Sequence, residues 1–172
     1  MKKPQFYIKP LPEGMTLKNP YALLATWFGS GLLRPAPGTI GTLAGIPLGY
    51  IIALWLGPIG LIAAAIVLMA IGTLAADKYG KKSGTVDDQS IVVDEVVGVW
   101  IAALPAYNNL YLWLAAFLLF RLFDIWKPWP ASFFDNKSKN GFYVMMDDVV
   151  AGIYALLGVA TLTLAMMASE RV

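Results

Sequence analysis

The chain has neither cysteine nor histidine. The first absence removes disulfide frameworks, zinc-thiolate sites and cysteine nucleophiles. The second removes histidine general bases, phosphohistidine intermediates and imidazole metal ligands. Charge is scarce too: 14% of the 172 residues are Asp, Glu, Lys or Arg, against roughly 25% in an average soluble domain. A formal net charge of +2 on scattered basic residues offers no stripe for nucleic acid. The first twenty residues are polar and broken by proline, with no apolar run, so no cleavable signal peptide is expected. Any chemistry falls to Asp, Glu, Lys, Arg, Ser, Thr, Tyr, backbone amides and a hard metal ion.

What the chain does have is apolar length. Apolar residues make up 58% of it and the mean hydropathy is +0.64, at a size suited to one domain. The expected fold class is therefore all-α, an integral membrane bundle of four to five spans. Residues 1–20 read as a surface arm carrying Lys2, Lys3, Lys9 and Lys18, and residues 21–172 as one membrane-embedded domain. Within that domain Tyr21 to Ser30 reads as an interfacial helix, capped by Asn19 with Pro20 at its first position. Spans are expected at 39–56, 59–76, 91–107, 110–126 and 148–168, each near the 17 to 20 residues that cross hydrocarbon. Gly57-Pro58 turns the first two into a hairpin, and Asn108-Asn109 joins the third to the fourth.

The charges follow this map. The arm, the loop at 77–88 and the segment at 121–148 hold all but three of the charges from Lys2 to Asp148, the exceptions being Arg34, Asp94 and Glu95. Lysine and arginine loops face the cytoplasm, which puts Asp77, Asp94, Glu95, Asp124, Asp147 and Asp148 at cytoplasmic span ends. Two of these sets are doublets with the same continuation: Asp94-Glu95 and Asp147-Asp148 each precede Val-Val and then small residues. Carboxylates at the edge of hydrocarbon are costly to desolvate and need a partner. An oxygen-only set suits a hard cation such as Mg²⁺, which takes one or two carboxylates and shares oxygens with a phosphate. The plain alternative for each doublet is a helix N-terminus that favours negative charge.

Arg121, Asp124 and Lys127 are three apart, so a helix places them on one face. Arg121 and Lys127 could grip phosphate oxygens while Asp124 orients Arg121 or binds metal. An internal salt bridge with a snorkelling lysine fits the same spacing. The glycine-rich stretch from Gly29 to Thr42 leads into a helix expected near Thr39. Its amides form a candidate phosphate cradle with Gly38, Thr39 and Thr42, or it merely turns the chain. Asp77 is a weaker candidate, and Asp87 and Asp88 weaker still, because any hydrophilic loop carries such residues. Six carboxylates, a few cations and a helix N-terminus gathered at one membrane face suit a metal ion and a phosphate. The simplest route is direct attack by a metal-activated water, and an aspartyl-phosphate route stays open.

The motifs F-G-S-G-L, P-G-T-I-G-T-L-A-G-I-P, S-I-V-V-D-E-V-V-G-V-W-I, F-R-L-F-D-I-W-K-P-W-P and M-M-D-D-V-V-A-G-I-Y-A, in this order from about residue 19 to 155, resemble the bacterial phosphatidylglycerophosphatase A family. The resemblance implies a Mg²⁺-dependent, multi-pass phosphatase of the bacterial inner membrane with its site facing the cytoplasm. Its substrate would be a membrane phospholipid, phosphatidylglycerophosphate, and its product phosphatidylglycerol. Carried over by motif, the functional positions are Asp94, Glu95, Asp147, Asp148, Arg121 and Asp124, with Gly38 and Thr39 in the loop. The expected metal ligands are Asp94, Glu95 and Asp148, with Asp147 as ligand or base.

Three other readings compete. A lipid phosphotransferase of the CDP-alcohol type would gather its aspartates in one compact run, whereas here they lie on distant segments. A small ion or proton transporter would place its acids near the bilayer midplane. A soluble all-α protein with the same core would stay in solution without detergent.

Overall fold

The computed structural model describes residues 6–137 and 140–169, so Lys2 and Lys3 lie outside the described residues. It is built from helices, with one two-stranded ribbon that the sequence pattern does not announce. Strand β1 (Tyr7–Ile8) pairs antiparallel with β2 (Leu33–Arg34). Between them α1 (Pro20–Ala25) starts as its residues dictate. The Asn19 side chain accepts the Tyr21 amide at 2.9 Å, and Pro20, with no N–H to lose, takes the first turn.

Helix α2 (Pro37–Ser83) begins at Pro37, two residues ahead of the expected start, and breaks at Gly57, whose φ of 67° and ψ of −171° only glycine adopts freely. The break folds α2 into a hairpin: Gly41 on the first arm packs against Val92, and Gly72 on the second packs against Val93. Helix α3 (Val93–Ala102) comes next. It is shorter than the expected third span: its ten residues reach about 15 Å, roughly half the hydrocarbon thickness. The rest of that apolar run, around Pro105, turns instead of continuing as helix.

Helix α4 (Leu110–Trp126) is capped by Asn109, whose side chain accepts the Tyr111 and Leu112 amides. It buries Leu112, Ala116 and Phe120, one face at four-residue spacing, and stops at Lys127 in the left-handed region just before Pro128. A short α5 (Ala131–Asn136) leads to α6 (Gly141–Ser169). Asp77 sits at the start of α6, accepting the Gly141 amide at 3.3 Å while pairing with Lys81.

Helices α2 and α6 are long and apolar enough to cross a membrane, and only 22% of each apolar stretch is buried inside the protein. A core helix of a soluble protein would be mostly covered, so these faces are made for an apolar surrounding. Nine of the ten α3 residues are buried, which makes α3 the axis around which the others pack. Its indole Trp100 donates to Gly45 O at 2.9 Å, satisfying a polar atom in the interior.

The arm is tied down by a polar chain. Lys9 Nζ lies 2.8 Å from Asp88, Asp88 accepts the Ser90 amide, and Ser90 Oγ accepts from the buried Arg34. Burial pushes the Asp88 carboxyl up, but Lys9 and the Ser90 amide outweigh it and hold its pKa below the ordinary carboxylate value. A depressed folded-state pKa stabilises the fold above the unfolded value near 3.9, and that contribution disappears as pH falls through the lower folded value. With Lys9 partly exposed the pair contributes about 1 kcal/mol. At pH 7 Asp88→Asn is therefore expected to melt a few degrees below the wild type, and the gap to close once the pH falls below the ordinary carboxylate range. A gap that persists there in thermal melts would refute the assignment.

Candidate active site

Two helices begin at one cavity, a third passes it and a fourth ends at it. The first turn of α2 contributes Gly38, that of α3 Asp94 and Glu95, and the second turn of α6 Asp147 and Asp148, while the end of α4 brings Arg121, Asp124 and Lys127. The cavity measures about 360 Å³. The positive ends of α2 and α3 at one space favour anionic groups there.

The two doublets meet because of the small residues one turn beyond them. Gly98 is one turn beyond Asp94 and Gly152 one turn beyond Asp148, and there α3 and α6 touch backbone to backbone. A Cβ added at Gly152 would lie 2.6 Å from Gly98 O, and one at Gly98 would strike the Phe120 ring and sit 2.9 Å from Asp148 O. The shared pattern of acidic pair, two valines and a small residue thus lets α3 and α6 approach closely enough to bring the two acidic pairs together. One oxygen each from Asp94, Glu95 and Asp148 lie within 4.8 Å of one another, a set that could hold a metal. Asp94 and Asp148 are 7% and 4% exposed. Glu95 Oε2 and Asp147 Oδ1 are buried with no hydrogen-bond partner, which carboxylates this deep do not tolerate unless something cationic or protic meets them. The donors are all oxygen, so the residues fit a hard divalent ion.

Cationic groups face this acidic wall. The Arg121 guanidinium bonds Asp124 one turn on and lies 3.8 Å from Glu95, and its Nε is buried without an acceptor. Lys127 Nζ is held 2.6 Å from both Asp135 and Asp147. Burial works to strip the proton from Lys127, but Asp147 and Asp135 outweigh it and keep its pKa above that of a free lysine. Gly38 is where α2 passes closest: a Cβ there would collide with the Glu95 carboxylate and lie 3.1 Å from Arg121.

Not every expected residue reaches the cavity. Thr42 is buried and its hydroxyl donates to Gly38 O at 2.7 Å, bracing the first turn of α2 from behind. Neither Thr39 nor Thr42 lines the cavity, and Asp77 belongs to the start of α6. Sequence reasoning ranked Asp87 low and passed over Gln89, yet both line the rim from the polar loop; it also missed Asp135, which reaches Lys127 from α5. Their signal is faint, since each is an ordinary polar residue of a hydrophilic segment.

Against known proteins, residues 23–163 match the family profile described as phosphatidylglycerophosphatase A. A phosphatidylglycerophosphatase A of Haemophilus influenzae is 49% identical over 146 residues, covering 83% of this chain and 88% of that protein. One from Escherichia coli is 40% identical over 141 residues, 81% of each chain. A Bacteroides thetaiotaomicron protein, named provisionally as a phosphatidylinositol-3-phosphatase, is 41% identical over 145 residues, covering 80% of this chain and 90% of its own. No solved structure matches.

Proposed function

Because the chain belongs to the phosphatidylglycerophosphatase A family, we propose that this cavity removes the terminal phosphate of phosphatidylglycerophosphate to leave phosphatidylglycerol. The chain is a phosphoric monoester hydrolase of phospholipid biosynthesis. The observation that carries the reading is the meeting of three carboxylates and a guanidinium with an unused buried N–H in one polar cavity.

Asp94, Glu95 and Asp148 hold a divalent cation, Mg²⁺ by the hardness of its ligands, with Asp147 as a further ligand or as base. When bound, such an ion supplies Lewis-acid charge to the phosphoryl oxygens and lowers the pKa of a water beside them. Arg121 gives its free Nε–H to a phosphate oxygen, and Asp124 fixes the guanidinium plane so that no rearrangement is needed. Lys127 has three N–H groups and spends two on carboxylates, leaving one for the phosphate. Gly38 lets the first turn of α2 approach that anion, with Thr39 beside it and Thr42 bracing the turn.

The protein lies in the bacterial inner membrane as a multi-pass bundle, with the cavity at the cytoplasmic face. The two arms of α2, together with α4 and α6, cross the bilayer. Helix α3 and its succeeding turns make the remaining pass, irregular backbone being tolerated there because the surrounding helices shield it.

The test is phosphate release by detergent-purified protein. Activity on phosphatidylglycerophosphate should vanish with chelator and return with Mg²⁺. It should exceed that on phosphatidylinositol 3-phosphate at least tenfold. Full activity in chelator would refute the metal, and a reversed preference would refute the head group.

A further inference from the structure

We propose that Asp135, which stands outside the cavity, is a positioning residue for this reaction: through the Lys127 ammonium it holds Asp147 with one oxygen tied and the other free. The inference rests on reading the cavity as a phosphomonoester hydrolase site.

The geometry is a three-group bridge. Lys127 Nζ lies 2.6 Å from Asp135 Oδ1 on one side and 2.6 Å from Asp147 Oδ2 on the other. Both ends of the bridge are anchored. Lys127 has a left-handed backbone (φ 47°) between the end of α4 and Pro128, so its stem leaves the helix in a set direction. Asp135 is carried by α5, which packs on α6 through Phe134 against Tyr143, ring centres 6.3 Å apart. Among the described residues, Lys127 is the cationic partner of both carboxylates.

The consequence falls on Asp147. Its Oδ2 is fixed by the ammonium, and its Oδ1, buried and without a partner, belongs to a side chain that lines the cavity. Asp135 takes no part in that lining. Without Asp135 the ammonium is drawn wholly toward Asp147 and any incoming phosphate, and the aim of Oδ1 is lost. The Asp135 side chain is 36% exposed, and a pair with so exposed a partner adds little to folding. Its removal should therefore be felt in turnover and hardly in stability.

The experiment compares full-length wild type, Asp135→Asn, Asp135→Glu, Lys127→Met and the Asp135→Asn, Lys127→Met double variant, in detergent. Each is assayed on whichever lipid phosphomonoester the wild type hydrolyses, so wild-type inactivity toward phosphatidylglycerophosphate counts against the head-group assignment alone. Removing an outer partner of a functional group typically costs 10- to 100-fold, so Asp135→Asn should lower kcat about tenfold. Its KM should stay within about twofold and its melting temperature within about 2 °C. Asp135→Glu, which can still reach the ammonium, should restore most of the rate. In the Lys127→Met background Asp135→Asn should cost nothing further, because the bridge is already gone. Wild-type kcat in Asp135→Asn, an equal loss in both backgrounds, a loss confined to KM, or a melting temperature that falls along with the rate would each overturn the proposal.

Discussion

Asp148→Asn is expected to lower kcat for phosphate release at least about a thousandfold, equivalent to about 4 kcal/mol of transition-state stabilisation. Asparagine keeps the shape of the side chain and deletes its charge. Asp148 is 4% exposed and shares a 4.8 Å cluster with Asp94 and Glu95, so its lost charge would fall directly on a cation held there. A second readout separates loss of the ion from loss of chemistry. Mg²⁺ should raise the melting temperature of the wild type, since a ligand that binds only the folded state stabilises it, and should leave Asp148→Asn unmoved. Asp94→Asn should behave alike, and combining the two should cost little beyond either alone, because both remove one site. Activity surviving both substitutions would end the carboxylate account of catalysis.

The second large effect comes from a methyl group. In a helix, alanine is favoured over glycine by up to about 1 kcal/mol, so Gly→Ala on a roomy face should stabilise. Gly152→Ala should do the reverse, since its new Cβ would lie 2.6 Å from Gly98 O and 3.1 Å from Gly98 Cα, backbone atoms that cannot swing aside. The helices must part, at about 1–3 kcal/mol, lowering the melting temperature by roughly 3–10 °C. Because Asp94 and Asp148 sit one turn away, the same displacement opens the cluster, and kcat should fall about a hundredfold. Gly158→Ala provides the contrast on the same helix. Its Cβ would meet the end of the Leu119 side chain at 2.9 Å, a group that can rotate, so activity and melting temperature should stay near those of the wild type. Equal behaviour of the two variants would show that the α3–α6 contact does not set the site.

These cases show why some of the fold was legible in the sequence and some was not. Local signals were enough for the cap at Asn19, the hairpin at Gly57, the turn at Asn108-Asn109 and the bounds of α4, because each acts within a few residues. The doublets were legible as a pair because a charge in an apolar run demands a partner, and one hard cation could serve both. The third apolar run misled on length: hydropathy records that residues are shielded from water, and protein shields α3 as lipid would. The β1–β2 ribbon and the Lys9–Asp88 link depend on residues far apart in sequence, with nothing local to mark them. Asp135 is similar. From sequence it is one polar residue in a polar segment, and its part in the site exists only because α4 and α5 end face to face around Lys127.

The order of the helices along the chain bears on when such a site can assemble during synthesis. The carboxylate cluster draws two members from α3 and the third from α6, near the end of the polypeptide. A ribosome that has delivered everything up to residue 140 has made the guanidinium, the glycine-rich approach and half of the acids, yet nothing able to retain an ion. A product cut short at that point would be inert toward the phospholipids around it. On the reading proposed above, phosphate removal therefore waits for α6, however far the other helices have already folded.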